Sequence, residues 1–337
     1  MIDRRSLLAA ALSAGPATEA RASDRLGRVE AYAREQGTTG FLVVQDRRVL
    51  LDRRWPAPGN PGAFSAFLHG KSADGALLED VASQQKSVVG VLCAIAVDRG
   101  LLDVMRPVTA YLGAGWSRAS KDQEAAIRVI HLLHMSSGLG DDFRYVSPAG
   151  ANFSYNTPVY AASKRVLEVA SGLSLEGLTR EWLTGPAGMA DTAWRLRPGS
   201  LSDVGNPTGL VTCTRDLVRF GQVVLDRGLA ADGRRIVSEA GLAAMLSPSP
   251  ANPGYGRLWW LNASDRALRL GAGAVPGRLI PTAPTDLVAA LGAMDRKLYV
   301  VPSRRLVVVR LGPAAPDPRF DQNLWSLLGP ATDPGTA

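Results

Sequence analysis

The clearest helical pattern in the chain lies between Val88 and Ala96. Apolar side chains recur there at steps of three and four residues, and no charged residue appears between Lys86 and Asp98. This spacing predicts a largely buried helix that ends at Gly100. The turn before the helix is polar, so the pattern predicts a polar helix N-terminus attached to an apolar body.

Strand patterns occur near both ends of the chain. Residues 40–51 predict two short strands around a polar turn, residues 256–261 predict one strand, and residues 298–311 predict a hairpin. Tyr299–Val301 and Leu306–Val309 are almost continuously apolar, which indicates strands that are covered on both faces.

Helical patterns broken by glycine and proline fill the middle of the chain. They cover 161–171, 175–183, 214–227 and 236–246, and further helices are expected at Leu26–Gln36 and Phe320–Leu328. We therefore predict an α+β fold: an antiparallel sheet built from both chain ends, flanked by helices, with an inserted mainly helical domain. The predicted sheet domain comprises residues 23–100 and 251–337, and the helical domain comprises residues 101–250. A groove between them is the expected active site.

Composition narrows the possible functions. The 337 residues are 46% hydrophobic and 20% charged, as in a globular protein. The formal net charge is +7, but the basic residues are scattered as dyads such as Arg47–Arg48, without a basic tract or an aromatic-interleaved patch. Nucleic-acid binding is therefore not expected. No apolar run reaches the length of a membrane span, so no transmembrane segment is expected.

Residues 1–22 have the pattern of an export signal. Arg4–Arg5 supplies a positive start, Ser6–Leu12 is a short apolar core, and Ala20–Arg21–Ala22 is an Ala-x-Ala cleavage sequence. The Arg-Arg-x-Leu-Leu order is similar to a twin-arginine signal. We therefore expect a periplasmic or secreted protein, with a frayed terminal helix as the alternative interpretation.

The two cysteines and the closely spaced histidines carry weaker signals. Cys93 falls inside the apolar helix, where a free thiol is usual, and a disulfide with Cys213 is the alternative in an oxidising compartment. His131 and His134 stand three apart, but no Cys or Glu lies at ligand spacing, so we expect no metal site. No organic cofactor is expected either.

Ser83 and Lys86 are the first candidates for chemistry. They stand three residues apart in the polar turn, which places both side chains on one helix face. A serine at a helix N-terminus lies near the positive end of the macrodipole, where a developing oxyanion is stabilised. Lysine can then exchange the proton of the serine, the Ser-Lys form of nucleophilic catalysis. The alternative is a polar helix cap with no chemistry.

Several segments together carry a family resemblance. They are Ser83–Ser87, His131–Leu139, Phe153–Thr157, Gly185–Thr192, Gly209–Leu217, Gly254–Trp260 and Val300–Pro302. In this order and spacing the chain resembles the serine β-lactamase and penicillin-recognising superfamily, from about Gly40 to Gly312. Within it, the chain looks most like the class C-related serine hydrolases, which include carboxylesterases and 6-aminohexanoate-dimer hydrolases.

The resemblance implies roles for particular residues. Ser83 is the implied nucleophile, and Lys86 and Tyr155 are the implied proton carriers, with the lysine ammonium lowering the pKa of the tyrosine. Asn156 stands one place earlier than in the usual Tyr-x-Asn pattern. The implied substrate-binding and oxyanion residues are Gly292, Ala293, Asn156 and Trp259, with the Ala293 N–H as second oxyanion donor beside that of Ser83.

The third family motif departs from its usual form. It normally carries Lys or His, but the matching stretch in this chain is Ala290–Asp295 and keeps the glycine without the cation. We therefore expect acyl-enzyme hydrolysis of small esters or amides, with Tyr255, Trp259, Trp260 and Met294 as candidate groove residues, and poor β-lactam hydrolysis. A β-lactamase or DD-peptidase, with Arg296 or Lys297 as carboxylate anchor, is one alternative. A catalytically inactive penicillin-binding-like receptor is the other, and the oligomeric state stays open.

Overall fold

The computed structural model describes residues 16–202, 205–269 and 273–333. Residues 1–15 of the predicted export signal lie outside the described residues, and residues 16–22 begin the first helix. The predicted α+β fold is confirmed.

The helices are concentrated in the middle of the chain, with one long helix near each end. They are α1 Pro16–Glu35, α2 Gln84–Asp98, α3 Thr109–Leu112, α4 Lys121–Ala125, α5 Val129–Leu133, α6 Thr157–Ser171, α7 Leu175–Thr179, α8 Gly185–Ala187, α9 Gly199–Ser202, α10 Thr214–Leu225, α11 Glu239–Met245 and α12 Phe320–Ala331. Short 3₁₀ turns occur at Gly62–Phe67 and Pro302–Arg304, and a π-helical turn at Arg180–Thr184.

The strands have bounds that agree closely with the predicted ones at both chain ends. They are β1 Gly40–Gln45, β2 Arg48–Arg54, β3 Leu68–Lys71, β4 Leu77–Asp80, β5 Ala193–Leu196, β6 Thr208–Thr212, β7 Trp260–Leu261, β8 Arg266–Arg269, β9 Gly273–Pro276, β10 Val288–Gly292, β11 Arg296–Val301 and β12 Leu306–Leu311. The strand predicted over residues 256–261 is shorter than expected, because Leu258 adopts a left-handed conformation at φ 65° and breaks the extended run.

One antiparallel sheet joins the two ends of the chain. Its six strands run in the order β2-β1-β12-β11-β10-β7, with Gly40 paired with Leu311 across β1 and β12. Both faces are covered, as the apolar runs predicted. Tyr299 of β11 packs edge-on against Trp325 of α12, with ring centroids 5.5 Å apart, while Gly221 of α10 allows close approach to β12 on the other face.

A second sheet of four strands runs in the order β3-β4-β6-β5. Its strands come from both sides of residue 100, so part of the predicted helical region pairs directly with β4 through β6. Helix α2 follows β4 and contacts α6, α11 and β10. The nucleophile candidate thus begins a helix that is packed among elements from three distant parts of the chain.

Cys93 and Cys213 are both buried free thiols in the structure. The alternative of a disulfide between them is therefore wrong. In the described part of the chain, no helix combines the length and the apolar character needed to cross a membrane.

Candidate active site

Ser83 occupies the N-cap position of α2. It is partly exposed, whereas Val81, Ala82 and every residue from Gln84 to Ala96 are buried. Ala82 immediately before it has a left-handed φ of 50°, a conformation that a residue with a Cβ adopts only at an energetic cost. The turn therefore presents one hydroxyl at the surface of an otherwise closed helix.

Lys86 lies within hydrogen-bonding distance of the candidate nucleophile. Its Nζ is 2.9 Å from Ser83 Oγ and 3.2 Å from Thr157 Oγ1. Burial, and secondarily the nearby positive charge of Arg197, lower the pKa of Lys86 to about 7. A neutral lysine is therefore available near neutral pH to accept the serine proton. The sequence analysis did not predict the contact of Thr157 with Lys86, although Thr157 belongs to the segment Phe153–Thr157 that carries the family resemblance.

Tyr155 completes the group from the residues just before α6. Its hydroxyl interacts with Ser83, and its ring stacks on Trp260 with centroids 5.8 Å apart. The expectation of a lowered pKa was wrong, because burial raises the pKa of Tyr155 to about 12. The Lys86 Nζ lies over the face of the ring, 4.7 Å from the centroid. Tyr155 is thus a neutral O–H donor.

Two backbone N–H groups near the site point to an oxyanion hole. Neither the Ser83 N–H nor the Ala293 N–H has an acceptor within the part of the chain that the structure describes. Strand β10 reaches the N-terminus of α2, since a Cβ on Gly292 would lie 2.5 Å from the Val81 carbonyl oxygen. Gln84 Nε2 also donates to the Ala290 carbonyl at 3.3 Å. The glycine that the third motif retains is therefore needed for this close approach.

Two residues expected to contact substrate do not face the site. The Asn156 side chain caps α6, accepting from the Val159 N–H at 2.8 Å and donating to the Leu139 carbonyl at 3.0 Å. Trp259 is fully buried, and its indole N–H donates to the Ser87 carbonyl at 3.2 Å. The expected substrate roles of both residues are corrected to structural ones, because their polar atoms are already engaged inside the protein.

The two cations near the third motif also point away from the site. Arg296 is fully buried, pairs with Glu79 at 3.1 Å, and donates to the Ala293 carbonyl at 3.1 Å. Lys297 pairs with Asp321 of α12 at 3.0 Å. Neither is available as the carboxylate anchor that the β-lactamase alternative required.

Aromatic and apolar side chains surround the polar group instead. Behind Tyr155, Trp260 and Tyr255 pack edge-on with ring centroids 4.8 Å apart, and Phe153 packs against Tyr255 at 5.3 Å. A separate apolar cluster is centred on Phe64, Phe67 and Ala82, with Met294 packed against it. Tyr255 is 1% exposed, so it supports the wall formed by Tyr155 and does not line open space.

Potential metal ligands cluster away from this site. Among the described residues, Asp191, Cys213 and Asp216 bring their ligand atoms within 4.8 Å of one another. Asp216 already accepts hydrogen bonds from the Asp191 N–H, the Thr192 hydroxyl and Arg219. Its carboxylate thus has a structural role, and this cluster has no contact with Ser83.

Comparisons with known proteins identify the family to which this fold belongs. A model of the Beta-lactamase family matches residues 27–328. The chain is 27% identical over 231 residues to Penicillin-binding protein 4 of Amycolatopsis lactamdurans, an alignment that covers 54% of this chain and 60% of that protein.

Solved structures share the fold at low identity. One is a Bacillus anthracis protein provisionally named as a 6-aminohexanoate-dimer hydrolase, with TM-score 0.67, 16% identity and coverage of 90% of this chain and 81% of that chain. Another is EstCE1, a hydrolase with promiscuous acyltransferase activity, with TM-score 0.66, 14% identity and coverage of 93% and 100%. Because the family model spans most of the sequence and the fold agrees, the chain belongs to the beta-lactamase family.

Proposed function

We propose that this protein is a serine hydrolase that cleaves small uncharged esters or amides through an acyl-enzyme on Ser83. The observation that carries the proposal is the 2.9 Å contact between Ser83 Oγ and a lysine Nζ whose pKa is lowered to about 7. A polar helix cap needs no such lysine. A buried amine held near its neutral form beside a partly exposed hydroxyl is a nucleophile with its base.

Acylation follows from the protonation states of the three side chains. Neutral Lys86 accepts the Ser83 proton as Oγ forms a bond to the substrate carbonyl carbon. The carbonyl oxygen becomes an oxyanion that the Ser83 and Ala293 N–H groups stabilise. When the intermediate collapses, the bond to the leaving group breaks, and the leaving group takes the proton of the Tyr155 hydroxyl. The Lys86 ammonium then returns a proton to Tyr155, so the charges balance.

Deacylation uses the same groups with water in place of serine. Water gives a proton to Lys86 while its oxygen attacks the acyl carbon. The Lys86 ammonium then returns a proton to Ser83 Oγ as the bond between Oγ and the acyl carbon breaks. The products are a carboxylic acid and the free enzyme. Every proton transfer in the proposed cycle uses the side chains of Ser83, Lys86 and Tyr155.

The surroundings of Ser83 favour uncharged acyl groups. Arg296 and Lys297 are both engaged with internal carboxylates, and aromatic and apolar side chains flank Tyr155 and Ala82. An anionic substrate group would be desolvated there without a partner. The neighbours named as an aminohexanoate-dimer hydrolase and as EstCE1, a hydrolase with promiscuous acyltransferase activity, support the proposal of a hydrolase on this fold.

The test compares p-nitrophenyl acetate and butyrate with a chromogenic cephalosporin. We expect ester turnover by the wild type, little or no cephalosporin turnover, and loss of at least about 10³-fold in kcat for Ser83→Ala. Intact mass after a fluorophosphonate probe should show one adduct, mapped to Ser83. Ser87→Ala is the matched control, because Ser87 lies one turn away on the same helix and donates to the Leu258 carbonyl.

Three outcomes would contradict the proposal. Retention of more than about a hundredth of the wild-type rate in Ser83→Ala would remove the nucleophile assignment. A Ser83 adduct without turnover of any ester would favour the inactive receptor. Efficient cephalosporin turnover, with kcat/KM of about 10⁴ M⁻¹s⁻¹ or more and no ester hydrolysis, would favour the β-lactamase alternative.

A further inference from the structure

Ala82 is the strained residue of the nucleophile turn. Its φ of 50° lies in the left-handed region, which is energetically unfavourable for an L-residue with a Cβ. The residue is buried and directly precedes Ser83. Such a conformation persists only where neighbouring contacts hold it.

Asp80 accepts a hydrogen bond from this turn and pairs with Arg197. Its Oδ1 accepts the Ala82 N–H at 2.8 Å and an Arg197 guanidinium N–H at 2.8 Å, while Oδ2 accepts the Arg197 Nε–H at 2.7 Å. Both side chains are almost fully buried, with exposed fractions of 1% and 6%. A charged acceptor in a buried bidentate pair makes a strong, directional hydrogen bond to the backbone.

Arg197 is itself fixed to the neighbouring strand region. Its backbone N–H donates to the Pro207 carbonyl at 2.9 Å and its guanidinium to the Asn206 carbonyl at 3.3 Å. Gly209 of β6 leaves room for the pair, since a Cβ there would lie 1.9 Å from Asp80 Oδ2. Residues in and next to the four-stranded sheet therefore hold the ion pair in place.

We propose that Asp80 is a positioning residue that holds Ala82 in its left-handed conformation and so orients Ser83. The orientation of the Ala82–Ser83 peptide sets the direction of the Ser83 N–H, which is one half of the oxyanion hole. Asp80 makes no hydrogen bond to the side chains of Ser83, Lys86 or Tyr155, so its hydrogen bonds reach the nucleophile turn only through the Ala82 backbone. This inference rests on the proposed serine-hydrolase function.

The effect should appear in the transition state and not in substrate binding. Loss of a whole oxyanion donor lowers kcat by about 10²–10³-fold. A misdirected Ser83 N–H should therefore lower kcat by about 10–100-fold in Asp80→Ala, with KM changed less than about threefold. All rates are expressed per active site, by titration with the fluorophosphonate, so that loss of folded protein does not count as loss of catalysis.

Asp80→Asn separates backbone anchoring from simple loss of an ion pair. Both Asp80→Ala and Asp80→Asn remove the negative charge that pairs with Arg197, but Asn keeps an oxygen that can accept the Ala82 N–H. We expect Asn to recover most of the lost kcat while the melting temperatures of both variants fall. Equal kcat per active site in the two variants would overturn the proposal.

Asp216→Ala is the matched control for a buried acid. Asp216 is fully buried, pairs with Arg219 at 2.8 Å and accepts a backbone N–H at 2.7 Å, as Asp80 does, but none of its partners belongs to the site. Its loss should lower the melting temperature and leave kcat per active site within about threefold of the wild type. A fall in kcat equal to that of Asp80→Ala would show a general effect of destabilisation and overturn the proposal.

A crystal structure of Asp80→Ala tests the inference without turnover. We expect Ala82 to leave the left-handed region and the Ser83 N–H to change direction. If the wild type hydrolyses no ester, the proposed function fails, yet this structure still decides whether Asp80 holds the turn. A left-handed Ala82 in the variant would overturn the inference even where the proposed function stands.

Discussion

At the scale of single residues, burial shifts the pKa values of Lys86 and Tyr155 in opposite directions. Burial disfavours the charged form of each group, so it lowers the pKa of the lysine to about 7 and raises that of the tyrosine to about 12. The lysine becomes a base near neutral pH, and the tyrosine remains a proton donor. Two residues in contact with one serine thus take opposite roles for the same physical reason.

Tyr155→Phe should lower kcat and leave KM nearly unchanged. The change keeps the ring that stacks on Trp260 and removes only the hydroxyl that we propose as the proton donor to the leaving group. General acid–base help contributes about 10²–10⁴-fold, so a decrease of that order is expected for alkyl esters. A p-nitrophenyl ester, whose leaving group needs little protonation, should show a smaller decrease. A change of less than about threefold with both substrates would assign the proton transfer to another group.

Lys86→Met should abolish turnover and stabilise the fold at low pH. The folded pKa of Lys86 is about 7 against an ordinary value of 10.5, so the unfolded chain holds more protons between these values. Wild-type stability therefore rises with pH from about 7 to 10.5, and the cost of burying the ammonium is complete below pH 7. The variant should be about 1–2 kcal/mol more stable at pH 6, and the difference should shrink by pH 9.

Thermal unfolding of both proteins between pH 6 and pH 9 measures this difference. In the wild type, kcat/KM should rise about tenfold per pH unit below pH 7 and then level off, because only neutral Lys86 accepts the serine proton. A melting-temperature difference that does not depend on pH would show that Lys86 is not the group with the lowered pKa.

At the scale of elements, the start of α6 supplies three consecutive residues with different duties. Tyr155 contacts Ser83, Asn156 caps the helix, and Thr157 Oγ1 accepts from Lys86. The Asn156 cap stabilises the first turn of α6, and this turn places Thr157 beside Lys86. The hydrogen bonds of the early asparagine therefore support a structural role, in which it holds the start of the helix.

Asn156→Ala should mainly affect stability. Loss of an N-cap costs about 0.5–2 kcal/mol, and the Leu139 carbonyl would also lose its donor. We expect a lower free energy of unfolding in urea, with kcat and KM within about threefold of the wild type. An increase in KM of tenfold or more, without a change in stability, would restore the substrate-binding role that the sequence suggested.

At the scale of the whole molecule, the site is assembled from residues far apart in the chain. Ser83 follows β4 of the second sheet, Tyr155 precedes α6, and Ala293 follows β10 of the six-stranded sheet. The sheet that joins the two chain ends brings the Ala293 turn to the N-terminus of α2, where Gly292 nearly touches the Val81 carbonyl. The proposed catalysis therefore depends on elements of both sheets being packed together.

Export is a prediction that concerns the chain as a whole. Residues 1–30 fused to a reporter should direct it out of the cytoplasm, because the basic start and apolar core match a signal. Arg4→Lys combined with Arg5→Lys should block export if the twin-arginine route is used, since that route reads the arginine pair. Cell fractionation measures both, and retention of the unmutated fusion in the cytoplasm would contradict the prediction.

The sequence alone determined several elements and the candidate nucleophile, but not the strands of the second sheet. Apolar period and turn residues are local properties, so the hairpin at the C-terminal end, the strands after Gly40 and the buried helix after Ser83 could all be predicted. The spacing of Ser83 and Lys86 is also local, because three residues on a helix share a face. The family resemblance then added Tyr155 and Ala293, which no local pattern relates to Ser83.

Only the tertiary structure decided the electrostatics and the duties of the remaining residues. The pKa of Tyr155 depends on Trp260 and Tyr255, which lie about a hundred residues away, so no local pattern shows that burial raises it. From the sequence, Arg296 was a candidate anchor for a substrate carboxylate, but in the folded protein it pairs with Glu79. No sequence pattern indicated the positioning role that we propose for Asp80, because that role depends on Arg197, which lies more than a hundred positions later. Charge pairing and burial arise from long-range packing, and these set the chemistry of the site.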